Sequence, residues 1–165
     1  GTRFSPQFIE NKLKFSPYIK EVVVIGDKRE RITALINIDM PIVGKWAEKQ
    51  RIGYTTYTDL SAKPEVYGMI EGEVRRVNRD LAKINGTAVI SKFVLLYKEL
   101  DADDDELTRT KKVRRGFIGE RYKDVIEAMY DGREAVAIDA TIKFQDGRTA
   151  RIKTIVAVRD VVKGA

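Results

Sequence analysis

Apolar residues recur along this chain with two alternating periods, one near four residues and one of two or fewer. Ile9 and Leu13 lie one helical turn apart behind Ser5-Pro6. Ser5 can accept from a free first-turn N–H, and Pro6 suits a position that needs no donor, so a helix is predicted to start here and to end before Pro17. In Ile19–Ile25, the consecutive Val22, Val23, Val24 and Ile25 put apolar side chains on both faces of an extended segment. That pattern predicts a central strand covered from both sides. After a turn at Gly26-Asp27-Lys28-Arg29, the segment Arg31–Asp39 reads as a second strand with Ile32, Ala34, Ile36 and Ile38 on one side. Pro41 opens a helix bearing Ile42, Val43 and Trp46, and Gly53–Lys63 reads as a polar loop with two tyrosines. Pro64 starts the longest helix, with Val66, Ile70, Val74, Val77, Leu81 and Ile84 on its inner face and Asn85-Gly86 as its stop. Ile90–Tyr97 reads as a third buried strand, and Phe117, Ile118, Tyr122, Val125, Ile126 and Met129 as one amphipathic helix ending at Asp131-Gly132.

The last thirty or so residues predict a hairpin, and its register follows from which positions are apolar. Val136, Ile138, Ala140, Ile142 and Phe144 form one apolar row; Ala150, Ile152, Thr154, Val156 and Val158 form the other. A two-residue turn would set Ile142 against Arg151. A three-residue loop, Gln145-Asp146-Gly147 with Gly147 in the left-handed region, instead sets Ile142 against Ala150 and Ala140 against Ile152. The second register keeps one face apolar and leaves Asp139, Lys143, Arg151, Lys153 and Arg159 on a wet face. Helices and strands interleave without a regular β-α-β repeat, so the fold class is α+β: a small mixed sheet of about three core strands flanked by helices, plus the C-terminal hairpin.

Composition narrows the chemistry. The 165 residues, 43% of them hydrophobic, suffice for one core. Neither cysteine nor histidine is present, which removes thiolate and Ser-His nucleophiles, disulfides and the usual zinc ligands. Any catalysis must use Lys, Arg, Tyr, carboxylates or backbone. The formal net charge of +6 favours anionic partners. No apolar run approaches the length of a membrane span, and GTRFSPQFIE has no apolar leader core, so a soluble cytoplasmic protein is expected.

The candidate chemistry sits in Glu106–Arg115. Lys111, Lys112, Arg114 and Arg115 come directly after Asp101, Asp103, Asp104, Asp105 and Glu106, a run expected to be a solvated loop that delivers a basic strip. A lysine there can offer a compact positive charge to a phosphate or a developing anion. The same residues also read as a charged surface turn before a helix. The acidic run is not a calcium loop, because its sixth position is Glu106 rather than glycine and its twelfth is Lys112 rather than glutamate. Neither the phosphate-binding loop pattern G-x-x-x-x-G-K-[ST] nor G-x-G-x-x-G occurs. No aromatic interrupts Lys111–Arg115, and Arg75, Arg76 and Arg79 fit an ordinary solvated helix face, so nucleic acid is not the expected partner.

Two spaced motifs carry a resemblance. Gly1-Thr2-Arg3-Phe4-Ser5-Pro6-Gln7-Phe8-Ile9-Glu10 resembles the G-x-x-[IVF]-x-P-x-x-I-E element that follows the hinge of AMP-forming adenylating enzymes. Leu107-Thr108-Arg109-Thr110-Lys111-Lys112-Val113-Arg114-Arg115 resembles their late lysine motif as it stands in long-chain fatty-acid–CoA ligases, approximately L-T-x-T-x-K-x-[KR]-R. Arg109 stands where many members carry Pro, and Lys111 where they carry Gly. The resemblance implies the mobile C-terminal domain of such a ligase over residues 1–132, with a helical insertion near 41–88 and the hairpin of 133–165 as an extension. It implies Lys112 as the catalytic lysine of acyl-adenylate formation, and Gly1, Lys111, Arg114 and Arg115 on the substrate and coenzyme A face. ATP and coenzyme A are then substrates, with Mg2+ in the full enzyme. The expected partners are an upstream domain that binds ATP and fatty acid, coenzyme A, and a membrane surface met peripherally by the full enzyme. The competing reading is a non-catalytic basic module that binds an acidic partner or nucleic acid.

Because the chain has neither a phosphate loop nor an acyl pocket of its own, the isolated domain is expected to fold yet to show negligible ATP–pyrophosphate exchange with any fatty acid. Robust exchange by these residues alone would overturn the reading of a partial site.

Overall fold

The computed structural model describes residues 5–26, 31–84, 89–101, 105–110, 112–143 and 147–161. The chain opens with α1 (Pro6–Lys14), where the Ser5 side chain accepts from Phe8 N–H and Pro6 lies in the first turn. Strands β1 (Ile19–Ile25) and β2 (Ile32–Ile38) pair antiparallel, Val23 opposite Leu35 and Val24 opposite Ala34. Helices α2 (Met40–Lys49), α3 (Tyr57–Ala62) and α4 (Pro64–Ala82) then carry the chain over to β3 (Ile90–Leu95), which runs parallel to β2. Two short helices, α5 (Arg115–Arg121) and α6 (Lys123–Ala128), precede the hairpin β4 (Ala135–Lys143) and β5 (Thr149–Ala157). The chain returns to the main sheet as β6 (Arg159–Asp160), giving the order β1-β2-β3-β6. This is an α+β fold.

The sheet separates two apolar layers. Ile32, Ala34, Ile36 and Ile38 of β2 meet Ile9 and Leu13 of α1, Val43 and Ala47 of α2, and Val66, Ile70 and Val74 of α4. On the other side, Val23, Leu35 and Val94 meet Ile118, Tyr122, Val125, Ile126 and Met129 with Val156 of β5. Every residue of β2 is buried. The strand at the centre of this cover is therefore β2, and β1, expected to be central, lies at the rim of the sheet. A run apolar on both faces reports cover above and below the sheet and is silent about neighbours within it. The rim is managed by a side chain: Glu10 Oε2 accepts from Val24 N–H at 2.8 Å.

Three local expectations change. The segment expected as a polar loop contains α3, whose N-cap Thr56 accepts from Asp59 N–H while Asp59 Oδ2 accepts from Thr55 N–H. The T-x-x-D spacing of Thr56 and Asp59 is the signal for that start, and Leu60 anchors the turn in the core. The single helix expected over 117–129 is two, broken at Tyr122 (φ −102°, ψ 23°), whose ring is drawn into the core. Ile84, expected on the inner face of α4, lies past its last residue and is exposed. The stop at Asn85-Gly86 and the turn residues Asp27, Lys28 and Arg29 lie outside the described residues.

The hairpin adopts the expected register, Ile142 opposite Ala150 and Ala140 opposite Ile152, with Gly147 at φ +85°. Its wet face carries Asp139 paired with Arg151 at 2.6 Å and an exposed Ile155. The other face is fastened to the α4–β3 layer. Tyr67 donates to Ala157 C=O at 2.8 Å and accepts from Leu95 N–H at 3.1 Å, and burial pushes its phenol up to about 12. Arg159 reaches back to Glu71 at 3.0 Å.

Partial burial of Glu71, which alone would raise its pKa, is outweighed by bonds from Arg75 and Arg159, so its carboxyl is held below the usual 4.5. A depressed carboxyl contributes stability that is fully present above its unfolded value and is lost as pH falls through the folded one. Acid unfolding should therefore begin to erode the α4–β6 attachment below pH ~4.5, and Glu71→Gln should flatten that part of the stability–pH curve. Urea midpoints measured between pH 3 and 6 check this; equal slopes for both proteins would contradict it.

Candidate functional site

The basic strip rests on a buried charge. Glu106 has no exposed surface, and its carboxylate accepts from Lys98 Nζ, from the Tyr122 hydroxyl and from Asp101 N–H at 3.2 Å, with Arg121 Nε 3.6 Å away. A lone carboxylate in that position would be prohibitive; donors on this many sides make it tenable. Burial first, and then the neighbouring Glu106 charge, push the Tyr122 phenol well above its ordinary range, so it stays a donor. Lys98 is placed from β2: Asn37 donates to Lys98 C=O and accepts from Leu100 N–H, both at 2.8 Å. The acidic run is thus not solvated throughout. Its last member, Glu106, anchors the basic strip.

From that anchor the strip rises as a closed loop. Arg114 N–H donates to Glu106 C=O at 3.0 Å, and Leu107 and Val113 form an antiparallel bridge that sits in the core behind β3. Above it, Thr108 N–H donates to Lys112 C=O at 2.8 Å while Thr108 Oγ1 accepts from Lys112 N–H at 3.0 Å and touches Thr110 Oγ1 at 3.1 Å. Thr108 therefore clamps the backbone that carries Lys112, and Thr110 contacts the hydroxyl that does so; these are the two threonines of the motif. Their role was not visible in the spacing alone.

Lys112 is exposed at the rim of a cleft of about 450 Å³ lined also by Gln7, Glu10, Lys14, Glu21 and Arg115. Its ammonium forms no ion pair among the described residues. Arg115 Nη2 meets Glu10 Oε1 at 2.5 Å, which joins the two motif segments across the cleft. Arg114 turns instead to Asp105, at 3.0 Å from its carbonyl and 3.6 Å from its carboxylate, and lies over the Phe117 ring at 5.3 Å. The structure brings Lys112 and Arg115 together and leaves Arg114 apart from them; Gly1 and Lys111 lie outside the described residues. Among the described residues no three carboxylates converge as a metal site. A separate cavity of about 510 Å³, between Tyr57, Tyr97 and Ile152, contains none of the motif residues.

This geometry has known counterparts. The AMP-bound adenylation–carrier didomain of carboxylic acid reductase from Segniliparus rugosus superimposes with a TM-score of 0.59 at 16% identity, over 78% of this chain and 16% of that one. The adenylation domain of the carboxylate reductase from Mycobacterium chelonae gives 0.55 at 17% identity, over 75% and 17%. The fold is that of the C-terminal part of an adenylation domain. Residues 1–134 match the AMP-binding enzyme C-terminal domain, and the chain belongs to that family. It is 30% identical over 132 residues to the long-chain-fatty-acid–CoA ligase FadD15 of Mycobacterium tuberculosis, covering 79% of this chain and 22% of that protein. It is 27% identical over 147 residues to the human long-chain-fatty-acid–CoA ligase ACSBG1, covering 79% and 20%. The chain thus spans about a fifth of the relatives it matches.

Removing the anchor should be costly. Glu106→Ala takes the buried carboxylate away from Lys98, Tyr122 and Asp101 N–H and is expected to destabilise the domain by ~3–5 kcal/mol. The paired change Lys98→Met with Glu106→Gln, which keeps an acceptor for Tyr122 and Asp101 N–H, should recover most of that loss. Urea unfolding followed by far-UV circular dichroism makes the comparison. A cost below ~1 kcal/mol for Glu106→Ala, a value usual for surface sites, would show that the strip does not depend on the anchor.

Proposed function

We propose that this chain is the C-terminal domain of an AMP-forming long-chain fatty-acid–CoA ligase and supplies the lysine of its first half-reaction. In that step a fatty-acid carboxylate oxygen attacks the α-phosphorus of ATP, and the bond to the departing pyrophosphate breaks. Negative charge gathers on the phosphates and on the oxygens between them. A fixed cation aimed at that charge lowers the barrier most where the surrounding site excludes water. Lys112 is the residue proposed for this role. Its clamped backbone, its exposed ammonium without an ion-pair partner among the described residues, and its match to the family's late lysine support the reading.

ATP and the acyl chain would be held by an upstream domain of the same polypeptide, and this domain would close over them and reopen between half-reactions. In the second half-reaction the thiol of coenzyme A attacks the acyl carbonyl of the adenylate and AMP leaves, a step that needs no histidine or cysteine from the protein. Gly1 is proposed beside the pantetheine path, where a side chain would crowd it. Lys111, Arg114 and Arg115 are proposed along the coenzyme A face; Arg115 already holds Glu10 through one amino group, leaving its other N–H groups for phosphate.

The test uses the full-length ligase. Lys112→Ala should lower acyl-adenylate formation by ~10²–10³-fold, the scale on which one pre-organised charge donor contributes. Thioester formation from supplied acyl-adenylate should survive largely intact. Lys111→Ala is expected to cost much less. Equal losses from the two variants, or a greater loss from Lys111→Ala, would move the role off Lys112.

A further inference from the structure

Glu10 is an acid almost withdrawn from water, and its two oxygens bind different parts of the molecule. Oε2 accepts from Val24 N–H at 2.8 Å, satisfying a donor of the rim strand β1 that no neighbouring strand reaches. Oε1 holds Arg115 Nη2 at 2.5 Å. Three elements thus meet at one carboxylate: α1, β1 and, far along the chain, the first residue of α5. Arg115 stands three positions after Lys112, just past the loop that the Leu107–Val113 bridge and the Thr108 bonds close around Lys112. Among the described residues, the Glu10–Arg115 contact is a bond across the cleft between that strip and α1. Without it, the strip would keep its own shape on the Glu106 anchor but lose its fixed distance from α1 across the cleft.

We propose that Glu10 is a positioning residue for adenylation: by holding Arg115 against α1 and β1, it fixes where the strip presents Lys112. This role rests on the proposed part of Lys112 in adenylation. α1 begins at Pro6, within the segment that resembles the post-hinge element, so the lock makes helix and lysine one piece that swings together. A displacement of about 1 Å in a reacting or charge-stabilising group can cost up to two orders of magnitude in rate, so a carboxylate that never touches substrate can still govern the step.

Glu10→Gln isolates this role, because the amide oxygen can still accept from Val24 N–H while the amide NH2 faces the guanidinium and breaks the pair. In the full-length ligase, kcat for acyl-adenylate formation should fall ~10-fold with the KM for ATP little changed. Thioester formation from supplied acyl-adenylate at saturating coenzyme A, where a change in how Arg115 holds phosphate does not enter the rate, should stay within ~2-fold, since Lys112 takes no part in it. Arg115→Gln, which leaves the Val24 bond intact and so keeps the test open if Glu10→Gln folds poorly, should give the same loss of adenylation. The double variant should lose no more than either alone. In a Lys112→Ala background, Glu10→Gln should cost nothing further, whereas a general loss of structure would subtract equally in both backgrounds. Full adenylation by Glu10→Gln and Arg115→Gln beside an inactive Lys112→Ala overturns the positioning role alone. Equal losses with and without Lys112 also overturn it. Full adenylation by Lys112→Ala overturns the reading on which it rests.

Discussion

A carboxylate sealed from water dictates what must surround it, and Glu106 shows how far that requirement reaches. It calls for a cation, which Lys98 supplies from the end of β3, and Lys98 is in turn held by Asn37 in the fully buried strand β2. It calls for a hydroxyl donor, which Tyr122 supplies, and the ring that brings the hydroxyl there interrupts what would otherwise be one helix. It accepts Asp101 N–H, which draws the start of the acidic segment inward. Sheet, helical layer and loop converge on one charge. The basic strip, seated through Leu107 and Val113, is anchored on that convergence.

That placement divides the labour among the cations. Of the positive groups near the strip, Lys98 and Arg121 serve the anchor, Arg114 closes on Asp105, and Arg115 on Glu10. Lys112 and Arg109 form no ion pair among the described residues, and of the two it is Lys112 whose backbone Thr108 holds through two bonds. A structural ion pair lowers the energy of its own fold; an exposed ammonium without one keeps its field for whatever anion comes near.

Much of this was legible in the sequence, and the parts that were not share a cause. The hairpin register could be read because a one-residue slip would have exposed a whole apolar row, so Ile142 and Ala150 had one consistent solution. The two motifs could be read because their residue types and order are specific. The sheet order was not legible, since Val22–Ile25 carries the same pattern at a rim as at a centre. Nor was the inward turn of Glu106: five acids in six positions look alike as letters, and only the distant Lys98 and Tyr122 single one out. Glu10 stood in the first motif from the start, yet its partner lies 105 residues on. Pairings closed by tertiary folding leave no local periodicity behind.

The return of β5 into β6 has a consequence for where this domain ends as a physical object. The family match stops at residue 134, one position before β4 begins. Yet Arg159 and Asp160 pair with Phe93 and Lys92, and Tyr67 sends its hydroxyl to Ala157. A chain cut at the family border would bare the flank of β3 and strip a hydrogen-bond acceptor from a buried phenol. An uncovered strand flank is a template for a neighbouring molecule. The hairpin thus acts as a selvedge, the finished margin that keeps this sheet from unravelling into its neighbours.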